Sequence, residues 1–131
     1  MRLKPLIAPA VAAGLLFAAA IFPVFPSVAQ EAAGFVSTIE DLPLMPGLIE
    51  EEGGMVFDSA RGRIVDAYAT GPVSEAAVKE FYDDTLPQLG WRPLGQGAFR
   101  RENEILKVEF PGGPGAAPPL TVGFRLMPAV D

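Results

Sequence analysis

Along this chain the spacing of apolar residues changes character three times, and each change predicts a different element. Between residues 73 and 91, Val78, Phe81, Tyr82, Leu86 and Leu89 recur at three- and four-residue steps, and Lys79, Glu80, Asp83 and Asp84 fall between them. That pattern is one apolar face of a helix. Ser74 is its expected N-cap, since a serine hydroxyl accepts from a first-turn N–H that has no partner inside the helix. Val73 and Val78 have the spacing of a hydrophobic staple. Pro87 lacks the N–H that would bond back to Asp83, which predicts a kink or restart and a last turn through Leu89. Gly90 closes the helix in the left-handed conformation, and Trp91 is read as the first residue of a strand.

The second pattern is alternation. In Glu104 to Phe110, Leu106, Val108 and Phe110 alternate with Ile105, Lys107 and Glu109. In Leu120 to Met127, Leu120, Val122, Phe124 and Leu126 alternate with Thr121, Gly123, Arg125 and Met127. A period of two predicts strands with one buried face. Met55-Val56-Phe57 and Arg63 to Thr70 read as a hairpin turning across Asp58 to Gly62, with Val65, Ala67 and Ala69 on one face and Ile64, Asp66 and Tyr68 on the other. Trp91 to Leu94 and Ala98 to Arg101 read as one strand broken by a bulge at Gly95-Gln96-Gly97, with Glu102-Asn103 as a tight turn. The expected fold is α+β and two-layer, one helix packed on a mainly antiparallel sheet, in the order β-β-α-β-β-β. Its expected core is Val65, Ala67, Val78, Phe81, Tyr82, Leu86, Leu89, Leu106, Val108, Phe110, Val122, Phe124 and Leu126.

The third pattern has no period. Residues 30–54 carry Pro43, Pro46, Gly47, Gly53 and Gly54, too much punctuation for a regular element. They also carry Phe35, Val36, Ile39, Leu42, Leu44, Met45, Leu48 and Ile49, too much apolar surface for a free linker. They are expected to form an extended arm that packs either on its own domain or on a partner. Before it, Arg2 and Lys4 precede an uncharged run that ends in Ser27-Val28-Ala29, which reads as a secretory signal peptide over residues 1–29. The alternative is a retained N-terminal anchor, for which the 17 residues from Leu6 to Phe22 stand at the short limit of a membrane span. The organisation expected is thus a signal peptide at 1–29, an arm at 30–54 and an α+β domain at 55–131.

Composition then narrows the function. Loss of the signal would leave 102 residues with 8 basic and 16 acidic side chains, a net charge of −8. Such a balance argues against nucleic acid and against an anionic membrane surface as partner. The chain has no His and no Cys. The commonest general base, thiolate chemistry, sulfur-bound metal and an acylated cysteine anchor are therefore excluded from this sequence. No catalytic residue, cofactor or metal site is expected. Ser37, Ser59 and Ser74 stand in no nucleophile elbow. The run Glu50-Glu51-Glu52 lacks the alternating ligands of a calcium loop and reads as a solvated charge run. The segment PGGPGAAPP at 111–119 has four prolines in nine residues and precedes a strand, so it reads as a mobile hairpin connection and not a phosphate loop.

Two surfaces remain as candidate sites. Ile64, Tyr68, Ile105 and Met127 should lie on the sheet face away from the helix, where they are either covered by the arm, left in water or docked on a partner. Arg92, Arg100 and Arg101 form a candidate anion site, their ordinary reading being charges that keep an edge strand from pairing. The stretch FYDDTLPQLGW at 81–91, with DLPLMPGLIE at 41–50 and GRI at 62–64, resembles a helix-to-strand module of small exported bacterial proteins of unknown function. The resemblance implies this fold and export, and it transfers no active-site residue. The expected function is that of a non-enzymatic periplasmic, envelope or extracellular protein acting by protein–protein interaction, its partner an envelope protein. The alternative is a carrier or sensor of a small apolar or anionic ligand held between helix and sheet.

Overall fold

A computed structural model describes residues 34–130, together with the isolated positions 14, 20, 21 and 23. The expected signal segment and its cleavage point after Ala29 lie outside the described residues, apart from those positions. No helix among the described residues is long and apolar enough to cross a membrane.

The fold is α+β, with one short helix and a mostly antiparallel sheet. Its elements in order are β1 (Gly34–Phe35), β2 (Pro43–Leu44), β3 (Ile49–Glu50), β4 (Met55–Ser59), β5 (Gly62–Gly71), α1 (Glu75–Thr85), β6 (Arg92–Gly95), β7 (Ala98–Arg101), β8 (Glu104–Glu109) and β9 (Leu120–Pro128). β1 and β2 pair with each other. The remaining seven strands form one sheet in the order β3-β5-β9-β8-β7-β6, and β4 also pairs with β5. The short β3 and the longer β4 lie one after the other along the same outer side of β5, with Ile49 opposite Thr70 and Met55 opposite Asp66. The last strand in chain order, β9, lies in the middle of the sheet between β5 and β8.

The helix forms where its pattern places it. Ser74 is extended at φ −88° and ψ 155°, and its hydroxyl accepts from the Ala77 N–H at 3.1 Å. The α-helix ends at Thr85, and a 3-10 turn at Leu86–Leu89 carries Pro87 before Gly90 closes it at φ +89°. Pro87 is tolerated there because the tighter turn does not need its missing N–H. Val78, Phe81, Tyr82 and Leu86 are buried on Val65, Ala67, Ala69, Val122, Phe124 and Leu126. Tyr82 meets Phe81 edge-on at 5.0 Å and Phe124 at 5.4 Å between ring centroids.

Three expectations are corrected. The break at Gly95-Gln96-Gly97 is a hairpin turn between two strands, so the order after the helix has four strands and not three. Gln96 and Gly97 both have positive φ, which reverses the chain with the twist that a two-residue hairpin requires. Leu89 and Phe110 are not core: Leu89 is 38% exposed and Phe110 only partly buried, while Phe99, Trp91, Ala69 and Leu120 are buried instead. Trp91 precedes the strand instead of starting it. Its backbone N–H bonds Leu86 O at 3.1 Å, and its buried indole N–H has no partner among the described residues.

The arm packs on its own chain. Val36, Ile39, Leu42, Leu44, Met45 and Leu48 are all buried in the same core as the helix face. The Tyr82 hydroxyl ties it down, donating to Pro43 O at 2.9 Å and accepting from the Met45 N–H at 3.3 Å. The crossing at Gly71 is so close that a Cβ there would lie 2.0 Å from Gly47 O and 3.2 Å from Leu48 Cα. Only a residue without a side chain fits under the arm at that point.

Candidate functional site

Because directly paired residues in an antiparallel ladder share a face, the register assigns every side chain of the sheet to one side or the other. Val65, Ala67, Ala69, Phe124, Leu126 and Leu106 face the helix and the arm. Ile64, Tyr68, Ile105 and Met127 all fall on the opposite face. Ile105 is paired directly with Met127, and Ile64 with Phe57. Tyr68 is 36% exposed and lies over Gly123, its Cε1 3.5 Å from where a Cβ would stand. Asp66 and Arg125 separate Tyr68 from Ile64 and form a two-point ion pair at 2.7 and 3.3 Å. That carboxylate holds the Arg125 guanidinium above its ordinary pKa, so the charge is fixed in place. The four predicted residues therefore do share one surface, and the arm, being on the helix side, does not cover it.

This surface runs on to an edge that periodicity did not single out. All five residues of β4 are exposed, including Met55 at 51%, Val56 at 49% and Phe57 at 52%. Met55 and Phe57 lie on the open face beside Ile64, and Val56 points to the other side. The sign was present in the sequence as three consecutive apolar residues without alternation. In a strand with one neighbour only, such a run puts apolar groups on both faces with nothing to bury them.

The structure does not bring the three arginines together. Arg92 and Arg100 are a direct cross-strand pair. Arg101, the next residue, lies on the other face, stacks its guanidinium 4.4 Å from the Trp91 ring and donates to Leu89 O at 3.3 Å. It thus caps the last turn of the helix. The acidic run is also less free than expected. The Glu50 carboxylate accepts from the Ser37 N–H at 3.0 Å and hydroxyl at 2.8 Å, and the Glu51 carboxylate accepts from the Thr70 hydroxyl. The first carboxylate folds the arm onto itself, and the second pins it to β5.

A concavity of about 820 Å³ opens between α1, the β6–β7 hairpin and the end of β8. Phe99, Val108 and Tyr82 form its floor, with Pro93, Phe110 and Pro114 at its sides. Glu75 closes one end, binding Lys79 Nζ at 2.7 Å and the Gly115 N–H at 3.1 Å. Lys79, followed by the Gly115 amide, holds the Glu75 carboxyl below its ordinary pKa. The connection at 111–119 is therefore latched to the first turn of α1 by a side chain, although its composition read as mobile. Lys79 also stands 5.6 Å over the Phe110 ring.

Three serine hydroxyls each have a partner. The Ser37 hydroxyl is held by Glu50, the Ser59 hydroxyl donates to Gly62 O at 2.6 Å and the Ser74 hydroxyl caps the helix. Among the described residues no group of three or more His, Cys, Asp or Glu side chains is placed to hold a metal ion. Comparison with protein-family models, with curated proteins and with solved structures found no match.

Proposed function

We propose that this chain is a non-enzymatic exported protein of the periplasm or bacterial envelope, which acts by protein–protein interaction. The observation that carries the reading is the exposed apolar edge β4, continuous with the open face at Phe57, Ile64 and Tyr68. The two-layer arrangement, with helix and arm together on one side of the sheet, leaves that face and edge free. Exposed apolar surface of this kind on a small acidic domain marks an interaction site. The resemblance to small exported bacterial proteins belongs to the same proposal, as do the absence of a cofactor and of nucleic-acid or membrane contact after signal cleavage.

The test is site-specific photo-crosslinking in cells. A photoreactive residue at Tyr68 should yield protein adducts, and one at Asp84, on the solvent side of α1, should not. Equal labelling at the two positions would overturn the assignment of the surface.

The cleft favours a second reading, carriage or sensing of a small apolar ligand between helix and sheet. Its rim carries Glu75, Asp83 and Glu109 against Lys79 alone, which is already paired, so an anionic ligand fits poorly. Filling the cleft by Ala98→Trp should abolish melting shifts given by apolar probes. If such shifts persist in that variant, the ligand lies elsewhere.

A further inference from the structure

We infer that the partner at the β4 edge is a second copy of this chain, joined by antiparallel pairing of β4 with its symmetry mate about a two-fold axis at Phe57. The inference rests on the reading of that edge as an interaction surface and names what occupies it.

The backbone geometry comes first. Ser59 pairs with Gly62 across the two-residue turn Ala60-Arg61, which makes them a hydrogen-bonded pair, and such pairs alternate along the ladder. Phe57 and Met55 therefore aim their N–H and C=O groups at β5. Val56 and Asp58 aim theirs outward, where no other strand among the described residues meets them. Centring the two-fold on Phe57 sets Val56 opposite Asp58 of the other copy, twice, and gives four backbone hydrogen bonds.

The two edges of the sheet are guarded unequally. β6, at the far edge, carries Arg92, Pro93 and a register shift between Pro93 and Gly95, the devices that stop an edge strand from pairing. β4 has no Pro, no Lys and no bulge, and Asp58 is its one charge.

The side chains select a copy of the same strand. At the axis the two Phe57 rings become a non-hydrogen-bonded pair, the closest kind of cross-strand neighbour, on the face where Met55 and Ile64 flank them. Antiparallel running also brings Glu52, before β4, towards Arg61, in the turn that follows it, in the other copy. The same charge complement is made twice, as a two-fold interface requires. A strand of five residues with its flanking patch is small beside the roughly 1,600 Å² of a standard interface, so association is weak and depends on concentration.

The chain contains no cysteine, so Phe57→Cys introduces a single thiol that can pair only with its counterpart. In a non-hydrogen-bonded pair the two Cβ atoms stand about 4.5–5.5 Å apart. The mature Phe57→Cys variant should give a disulfide-linked dimer under mild oxidation, much faster than Leu94→Cys on the opposite edge. In sedimentation the unmodified protein should be a monomer–dimer equilibrium. Val56→Pro, which removes only an outward N–H, should weaken the dimer at least about tenfold while the melting temperature is kept. A monomer at every concentration, with the Phe57→Cys variant crosslinking no faster than Leu94→Cys, overturns the proposal. A photoreactive residue at Phe57 that captures other proteins but never its own copy also overturns it and leaves the interaction surface standing. Capture of neither overturns both readings.

Discussion

Two residues carry more of the structure than their neighbours. Tyr82 is buried against Phe81 and Phe124, and its hydroxyl is the polar tie between helix and arm. Tyr82→Phe leaves Pro43 O and the Met45 N–H unpaired in the core, which should cost about 1–3 kcal/mol in denaturant unfolding. Burial pushes the Tyr82 hydroxyl well above its ordinary pKa, an effect only partly offset by the Met45 N–H. For a raised value the stabilisation is complete below the unfolded pKa of about 10 and is lost as pH rises through the folded one. The parent should therefore weaken steeply under alkali, and Tyr82→Phe less so. Phe81→Ala, by deleting a buried ring, should cost about 3–5 kcal/mol in the same assay. Both residues were legible because helical spacing puts them on one face. The hydroxyl's partners were not, since they lie 37 and 39 residues away and no local pattern encodes them.

Among the elements, α1, β8 and β9 follow from the periods of their own sequences. β6 and β7 did not, because Arg92-Pro93-Leu94-Gly95 has no alternation and Gly95-Gln96-Gly97 suits a bulge as well as a reversal. The arm was legible as apolar but not as to where it goes, because an irregular segment finds its place only through tertiary contact. Gly71 is the point of that contact, and Gly71→Ala should force the arm off the strand. The expected loss is about 1–3 kcal/mol in unfolding free energy, with earlier proteolysis within 34–48. Removing residues 30–47 altogether should abolish cooperative unfolding, since Ile39 and Leu42 in that stretch are each nearly fully buried. The latch between α1 and the 111–119 connection rests on one half-buried carboxylate. The lowered Glu75 value means its contribution is present above the ordinary carboxylate range and lost as pH falls through the lowered one. The Gly115 amide resonance should shift over that acid range, and the titration should vanish in Glu75→Gln.

At the scale of the whole molecule, the fully buried large side chains gather on the helix side of the sheet. Helix and arm complete one core, while the other sheet face and the β4 edge remain open. That Ile64, Tyr68, Ile105 and Met127 share the face away from the helix was legible from alternation, whereas what covers that face was not. The edge was not, because which strand stands outermost depends on the order of strands and not on any one of them. The placement of β9 has a separate outcome. The strand that holds the two halves of the sheet together, β5 on one side and β8 with β7 and β6 on the other, follows all of them in the sequence. A polypeptide cut after Pro119 should therefore show no melting transition, though it retains the helix, the arm and every other strand. Emerging amino end first, from a ribosome or through a translocation pore, such a chain stays unassembled until β9 is free. For the export proposed above, a keystone that arrives after the stones it joins would keep the chain threadable until its end.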